Sequence, residues 1–89
     1  MRAVITVLGK DTVGILAKVS TICAEEGANV TEVTQSVLQD MFAMIMLVEM
    51  SDSTEIIEKL SKKSEVLEKE LNLKIHVMHE DLFNSMHRI

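Results

Sequence analysis

"GANVTEVTQSVLQDMFAMIMLVEM", residues 27 to 50, decides the architecture, because it reads as two strands folded back on one another. The first part is rich in Val and Thr, the β-branched composition that suits a pleated, half-buried surface. Val30 and Val33 stand three apart, which breaks a period of two and predicts a bulge if both face inward. Gln39-Asp40 makes a short turn, and "MFAMIMLVEM" follows as a strand with almost no polar residue.

Working outward toward the amino terminus, Ile15, Leu16, Val19, Ile22 and Cys23 fall at helical spacing between Val13 and Glu26. They leave Lys18, Thr21, Glu25 and Glu26 mainly on the other side. Gly27 is placed to end that helix as a left-handed cap. Before it, residues 2 to 8 alternate β-branched and small apolar residues and read as a strand.

Toward the carboxyl terminus, Asp52 and Glu55 form a capping pair at the start of a second helix. Its apolar face runs through Ile56, Ile57, Leu60, Ser64, Leu67 and Leu71 to Asn72, a left-handed terminator. Leu73, Ile75 and Val77 then alternate with Lys74, His76 and Met78 as a fourth strand. Leu82, Phe83 and Met86 lie at helical spacing in a short closing helix. The order β-α-β-β-α-β specifies an α+β, ferredoxin-like sandwich, a four-stranded antiparallel sheet with both helices on one face. Residues 1–79 form the domain and residues 80–89 a helical tail.

A sheet covered on one side should alternate cleanly between apolar and polar. Here the first strand puts Ala3, Ile5 and Val7 on one face and Val4 and Leu8 on the other. The third puts Phe42, Met44, Met46 and Val48 against Ala43, Ile45 and Leu47. Something must cover the second face, and a homodimer is the expected solution, with the tail as alternative or helper.

Composition narrows the function. The 89 residues are 47% hydrophobic, ample for one core, and carry a net charge of −5. That balance argues against a nucleic-acid partner, whose phosphates call for Lys and Arg, and the absence of Trp and Tyr removes a base-stacking platform. The single Cys23 forms no internal disulfide and suits a reducing, cytoplasmic setting. No apolar stretch reaches the roughly 20 residues that span a bilayer, and the amino terminus lacks the layout of a secretion signal. The seven Met read as adaptable core filler.

Other users of this topology need other residues. An RNA-recognition domain needs exposed aromatics on strands one and three. A metal carrier needs a Cys pair in the first loop, and an acylphosphatase an Arg there. Lys10 is the only base in that loop. His76 and His79, three apart in a strand, point to opposite faces, and His79, Glu80 and His87 read as surface groups near a terminus. No nucleophile stands beside a base, so no enzyme, metal or cofactor is expected.

What remains is a small-molecule sensor, and "GKDTVGIL", residues 9 to 16, suits it. Gly14 lets a ligand approach the backbone at the start of the first helix, whose free N–H groups and dipole suit a carboxylate. Asp11 can accept from an ammonium group, and Asn29 can donate or accept. Each has a structural role open to it as well: Gly14 a tight turn, Asp11 a helix cap, Asn29 the turn before strand two.

The Asp11-x-x-Gly14 turn, the Ile15-Leu16 helix entry and Gly27-Ala28-Asn29-Val30 opening strand two resemble the front half of an ACT domain. The element order extends the resemblance over the whole chain, and the tail is similar to that of small stand-alone ACT proteins akin to the glycine-cleavage transcriptional repressor. The resemblance implies a regulatory module that binds an amino acid through Asp11, Val13, Gly14, Ile15, Asn29 and Val30. It also implies a ligand seated between subunits, with strand-two residues such as Thr31 contributing from the partner, and a regulated enzyme or regulator that senses it. The Glu-Ser-Arg-Pro run of aromatic-sensing members is absent, with Thr34-Gln35-Ser36-Val37 in its place, so phenylalanine is not supported. A protein-interaction module docking through its apolar sheet face is the alternative.

Overall fold

The computed structural model describes residues 1–10, 14–51 and 54–86. Seven elements follow in the order β1 (Arg2–Lys10), α1 (Ile15–Glu25), β2 (Asn29–Leu38), β3 (Met41–Glu49), α2 (Thr54–Leu71), β4 (Lys74–His79) and α3 (Glu80–Met86). The four strands form one antiparallel sheet in the order β2-β3-β1-β4, the expected ferredoxin-like sandwich.

Boundaries differ from the sequence reading in two places. The first strand continues through Gly9 and Lys10, which pair with Phe42 and Met41. Gly9 fits there because a side chain would run into Leu73, so the position trades β propensity for close approach. The first helix begins at Ile15 rather than Val13, which lies with Asp11 and Thr12 outside the described residues. The Asp52–Glu55 capping pair likewise involves a residue outside them.

The terminators work as expected. Gly27 has φ +73, and its N–H donates to Ala24 O while Ala28 N–H donates to Cys23 O at 2.8 Å. This paired reverse bonding satisfies carbonyls that the helix end leaves open. Asn72, at φ 55, ends α2 the same way, with Leu73 N–H reaching back to Glu68 O at 3.1 Å. The hairpin turn puts Gln39 in the left-handed region at φ 57.

The bulge falls where the spacing of the valines put it. Val30 pairs with Val48 and Val33 with Met46, both on the helix side, because the register shifts by one between Val30 and Glu32. Thr31 is the extra residue, and its hydroxyl donates to Leu47 O at 3.0 Å. A regular strand would have turned one of the two valines to the outer face.

The core lies between the sheet and the helices. Ala3, Ile5, Val7, Phe42, Met44, Met46, Val48 and Ile75 meet Ile15, Val19, Cys23, Leu60 and Leu67. Cys23 is a small buried core residue, and burial pushes its thiol pKa up. Lys63 of α2 ties down the end of α1, at 2.6 Å from Glu26 and 3.1 Å from Glu25.

The outer face is covered only in part. Helix α3 packs on β1 and β4, and Arg2 holds its start through an ion pair with Glu80 at 2.9 Å. The row of outer residues on β1 records the coverage: Val4 is 3% exposed and Leu8 is 50% exposed.

Leu60 touches solvent nowhere, so Leu60→Ala should cost about 3 kcal/mol in urea unfolding, through lost transfer energy and a residual cavity. The Lys63 hydrogen bond lowers the Glu26 pKa and, through Glu26 first and then Glu25, raises that of Lys63. A lowered carboxylate pKa stabilises the fold above the unfolded value, near pH 4.3, and the benefit fades as pH falls through the folded value. Lys63→Met should therefore flatten the fall in melting temperature between neutral pH and pH ~3, relative to the unaltered chain.

Candidate functional site

The site begins at the exit of β1. Gly14 stands immediately before α1 with φ 85 and ψ 10, a left-handed conformation, and no side chain caps the helix at this position. Its carbonyl accepts from Lys18 N–H at 3.0 Å, the first bond of the helix. The N–H groups of the opening turn have no intrahelical acceptor, and among the described residues the turn contains no acidic side chain to offset the positive end of the dipole. A Cβ built on Gly14 meets nothing within 4 Å, so the backbone there faces open space. Ile15 is buried and forms part of the core floor behind the turn rather than an exposed contact.

Asn29 and Val30 open β2, Asn29 exposed and Val30 half-buried. The sheet register decides how they relate to Gly14. Asn29 pairs with Glu49, which pairs with Arg2, at the start of β1. Gly14 follows Lys10, which pairs with Met41 at the other end of the sheet. Helix α1 runs the distance between them, and its 11 residues span about 16 Å. Gly14 and Asn29 of one chain therefore stand at opposite ends of the sheet. The register keeps them apart within one chain. Asp11 and Val13 lie outside the described residues. Thr31 spends its hydroxyl on the bulge.

Two further places were not singled out from the sequence. A broad open cleft of about 950 Å³ lies at the Arg2 end, lined by Met1, Arg2, Glu49, Thr54, Glu55, His79 and Glu80. The Arg2–Glu80 ion pair already satisfies part of its charge. A smaller cavity of about 330 Å³ lies under the flank of α3 and is almost wholly apolar. Thr6, Leu8, Ala43, Ile45, His76, Met78, Phe83 and Met86 line it. The sequence signal for it was present in the doubly apolar strands and in the tail offered as a helper cover; which strands the tail lies on was not.

Among the described residues no group of three His, Cys, Asp or Glu is placed to hold a metal ion. His79 Nδ1 accepts from Asp81 N–H at 3.0 Å, at the turn into α3. Among them, too, no helix is long and apolar enough to cross a membrane.

A split sandwich with a glycine-led helix entry, followed by a bulged strand opening on Gly-Ala-Asn, defines a class. Residues 2–78 match the model of the ACT domain, and the chain belongs to the ACT-domain family. The ACT domain is a regulatory, ligand-binding module rather than a catalytic one. A UPF0237 protein of Clostridium perfringens is 46% identical over 89 residues, covering all of both chains. The solved ACT domain protein from Streptococcus pneumoniae is 34% identical, covers 93% of each chain and superposes with a TM-score of 0.73. The crystal structure of a glycine cleavage system transcriptional repressor shares the fold at 22% identity and a TM-score of 0.75, over 89% of this chain and 47% of that one.

The strain at Gly14 is a backbone matter, since space is free around it. Gly14→Ala should cost about 1 kcal/mol and Gly14→Asn less, because Asn tolerates the left-handed region. Urea unfolding checks the order, and equal stabilities would mean that the turn relaxes.

Proposed function

We propose that the chain is a regulatory domain that binds a small amino acid at a boundary between two copies and signals its occupancy to a partner protein. The observation that carries this reading is the left-handed, glycine entry to α1, whose first-turn N–H groups have no intrahelical acceptor and whose first turn, among the described residues, carries no carboxylate. That arrangement suits the carboxylate of an amino acid. Asp11, before the turn, supplies a charge for its ammonium group, and the Asn29 amide can bond to either end.

One chain cannot close this site alone, because Gly14 and Asn29 are a helix length apart. Two copies can. Strand β2 is the open edge of the sheet, ten residues long and exposed throughout its described side chains apart from the half-buried Val30. Antiparallel pairing of β2 with β2 of a second copy brings the start of one strand to the end of the other. Asn29 of one copy then approaches the α1 entry of its neighbour. Ligand held across that seam favours one arrangement of the pair over others, which is the free-energy coupling a partner can read. The absent Glu-Ser-Arg-Pro run and the open turn favour a small side chain such as that of glycine or serine over an aromatic one.

Thermal-shift measurements against the common amino acids test the reading. A small amino acid should raise the melting temperature in a concentration-dependent way, and Asn29→Ala or Asp11→Ala should weaken the response at least tenfold in apparent affinity. A flat response to every amino acid, with firm binding to a protein partner, would favour the interaction module instead.

A further inference from the structure

Helix α3 divides the outer face of the sheet into a covered half and a bare half. It lies on β1 and β4, burying Val4, while on the neighbouring strand Ile45 is 44% exposed. The bare half, over β3 and β2, presents Ala43, Ile45 and Leu47 with Thr34 and Ser36, and among the described residues of these strands its charge lies at the rim, in Glu32 and Glu49. The 330 Å³ apolar cavity opens on the line between the halves, with Phe83 and Met86 on one wall and Ala43 and Ile45 on the floor. Met86 is 62% exposed there.

We propose that the bare half is the seat for α3 of a second copy, so that two chains stack outer face to outer face with their α3 helices side by side between the sheets. Three observations select this occupant. The first is width. Four strands at ~4.8 Å spacing make a face just wide enough for two helices, each of which covers two strands. The second is distance. A two-fold axis parallel to the strands, running between β1 and β3, puts α3 over β1 and β4 and its copy over β3 and β2. The helix axes are then ~10 Å apart, the spacing of packed helices. The third is area. The exposed parts of Leu8, Ile45 and Met86, with the half-buried Ala43, Leu47 and Phe83, offer on the order of 400 Å² of apolar surface per copy. The polar rim of Thr34, Ser36 and His76 extends that patch toward the ~800 Å² per partner of a stable interface.

The arrangement is self-complementary, as a two-fold contact requires: each copy offers one helix and one vacant lane. The cavity is the gap that the neighbouring helix closes. This seam is distinct from the β2 edge and independent of the ligand reading, so the two can fail separately.

Sedimentation equilibrium on the full chain tests it, over a wide concentration range. Ile45→Asp, in the vacant lane, and Met86→Asp, on the helix, should each halve the particle mass. The halving runs from four chains to two if the β2 edges also pair, or from two to one if they do not. Val66→Asp, at an exposed apolar position on α2 on the opposite side of the molecule, should leave the mass unchanged. Amide exchange at Asn84 and Ser85, within the seven-residue α3, reports whether the helix stays on its own sheet in Met86→Asp; retained protection with halved mass supports the seam. A lone particle for the unaltered chain overturns the proposal, and so does an undiminished mass in Ile45→Asp. Disassembly by Ile45→Asp with an intact assembly in Met86→Asp would mean that the sheets meet without the helices, and also overturns it. A lone particle that a short alkyl carboxylate stabilises would assign the cavity to a small apolar ligand instead.

Discussion

Two neighbouring strands with apolar side chains on both faces set the terms for the rest of the molecule. On one side Ala3, Ile5, Val7, Phe42, Met44, Met46 and Val48 are sealed by α1 and α2, giving a single core in a short chain. On the other, Val4, Leu8, Ala43, Ile45 and Leu47 need a cover that the two main helices cannot provide. Helix α3 is the local answer, short and held at its start by the Arg2–Glu80 ion pair. The methionines at the centre of β3 fit this crowded middle, since an unbranched side chain fills irregular space at little cost in strain.

Much of this was legible in the chain because the signals are local. The Val30 and Val33 spacing predicted a bulge on the condition that both face inward, and the register meets that condition. Gly27 and Asn72 were readable as terminators because left-handed backbone selects few residues. The extension of β1 through Gly9 was not legible. Glycine is a poor strand former, and only the approach of Leu73, 64 positions away in the chain, explains its place. The tail was readable as a candidate cover for the second face, because that face is apolar, but which strands α3 lies on was not, since its helical spacing does not show which strands it meets.

The candidate site was the least legible part. Gly14 and Asn29 have local chemistry that reads clearly, a bare helix entry and a versatile amide. Their separation depends on register: β1 and β2 start at the same end of the sheet, so the exit of one and the beginning of the other lie at opposite ends. No periodicity within either segment carries that information. Fifteen positions of sequence became a helix length of space, a separation that only the resemblance, through a ligand seated between subunits, had allowed for.

The two edges of the sheet are not equivalent. On β4 the outward N–H of Ile75 is taken by the Glu68 carboxylate at 2.8 Å, a stopper supplied by the neighbouring helix. On β2 the backbone edge lies open along ten residues. A sheet with two free margins can recruit neighbours without end, and polymerises into fibrils. The Glu68 carboxylate occupies an outward donor that a further strand on β4 would need, so the same group that fastens β4 also biases any strand addition toward the β2 margin.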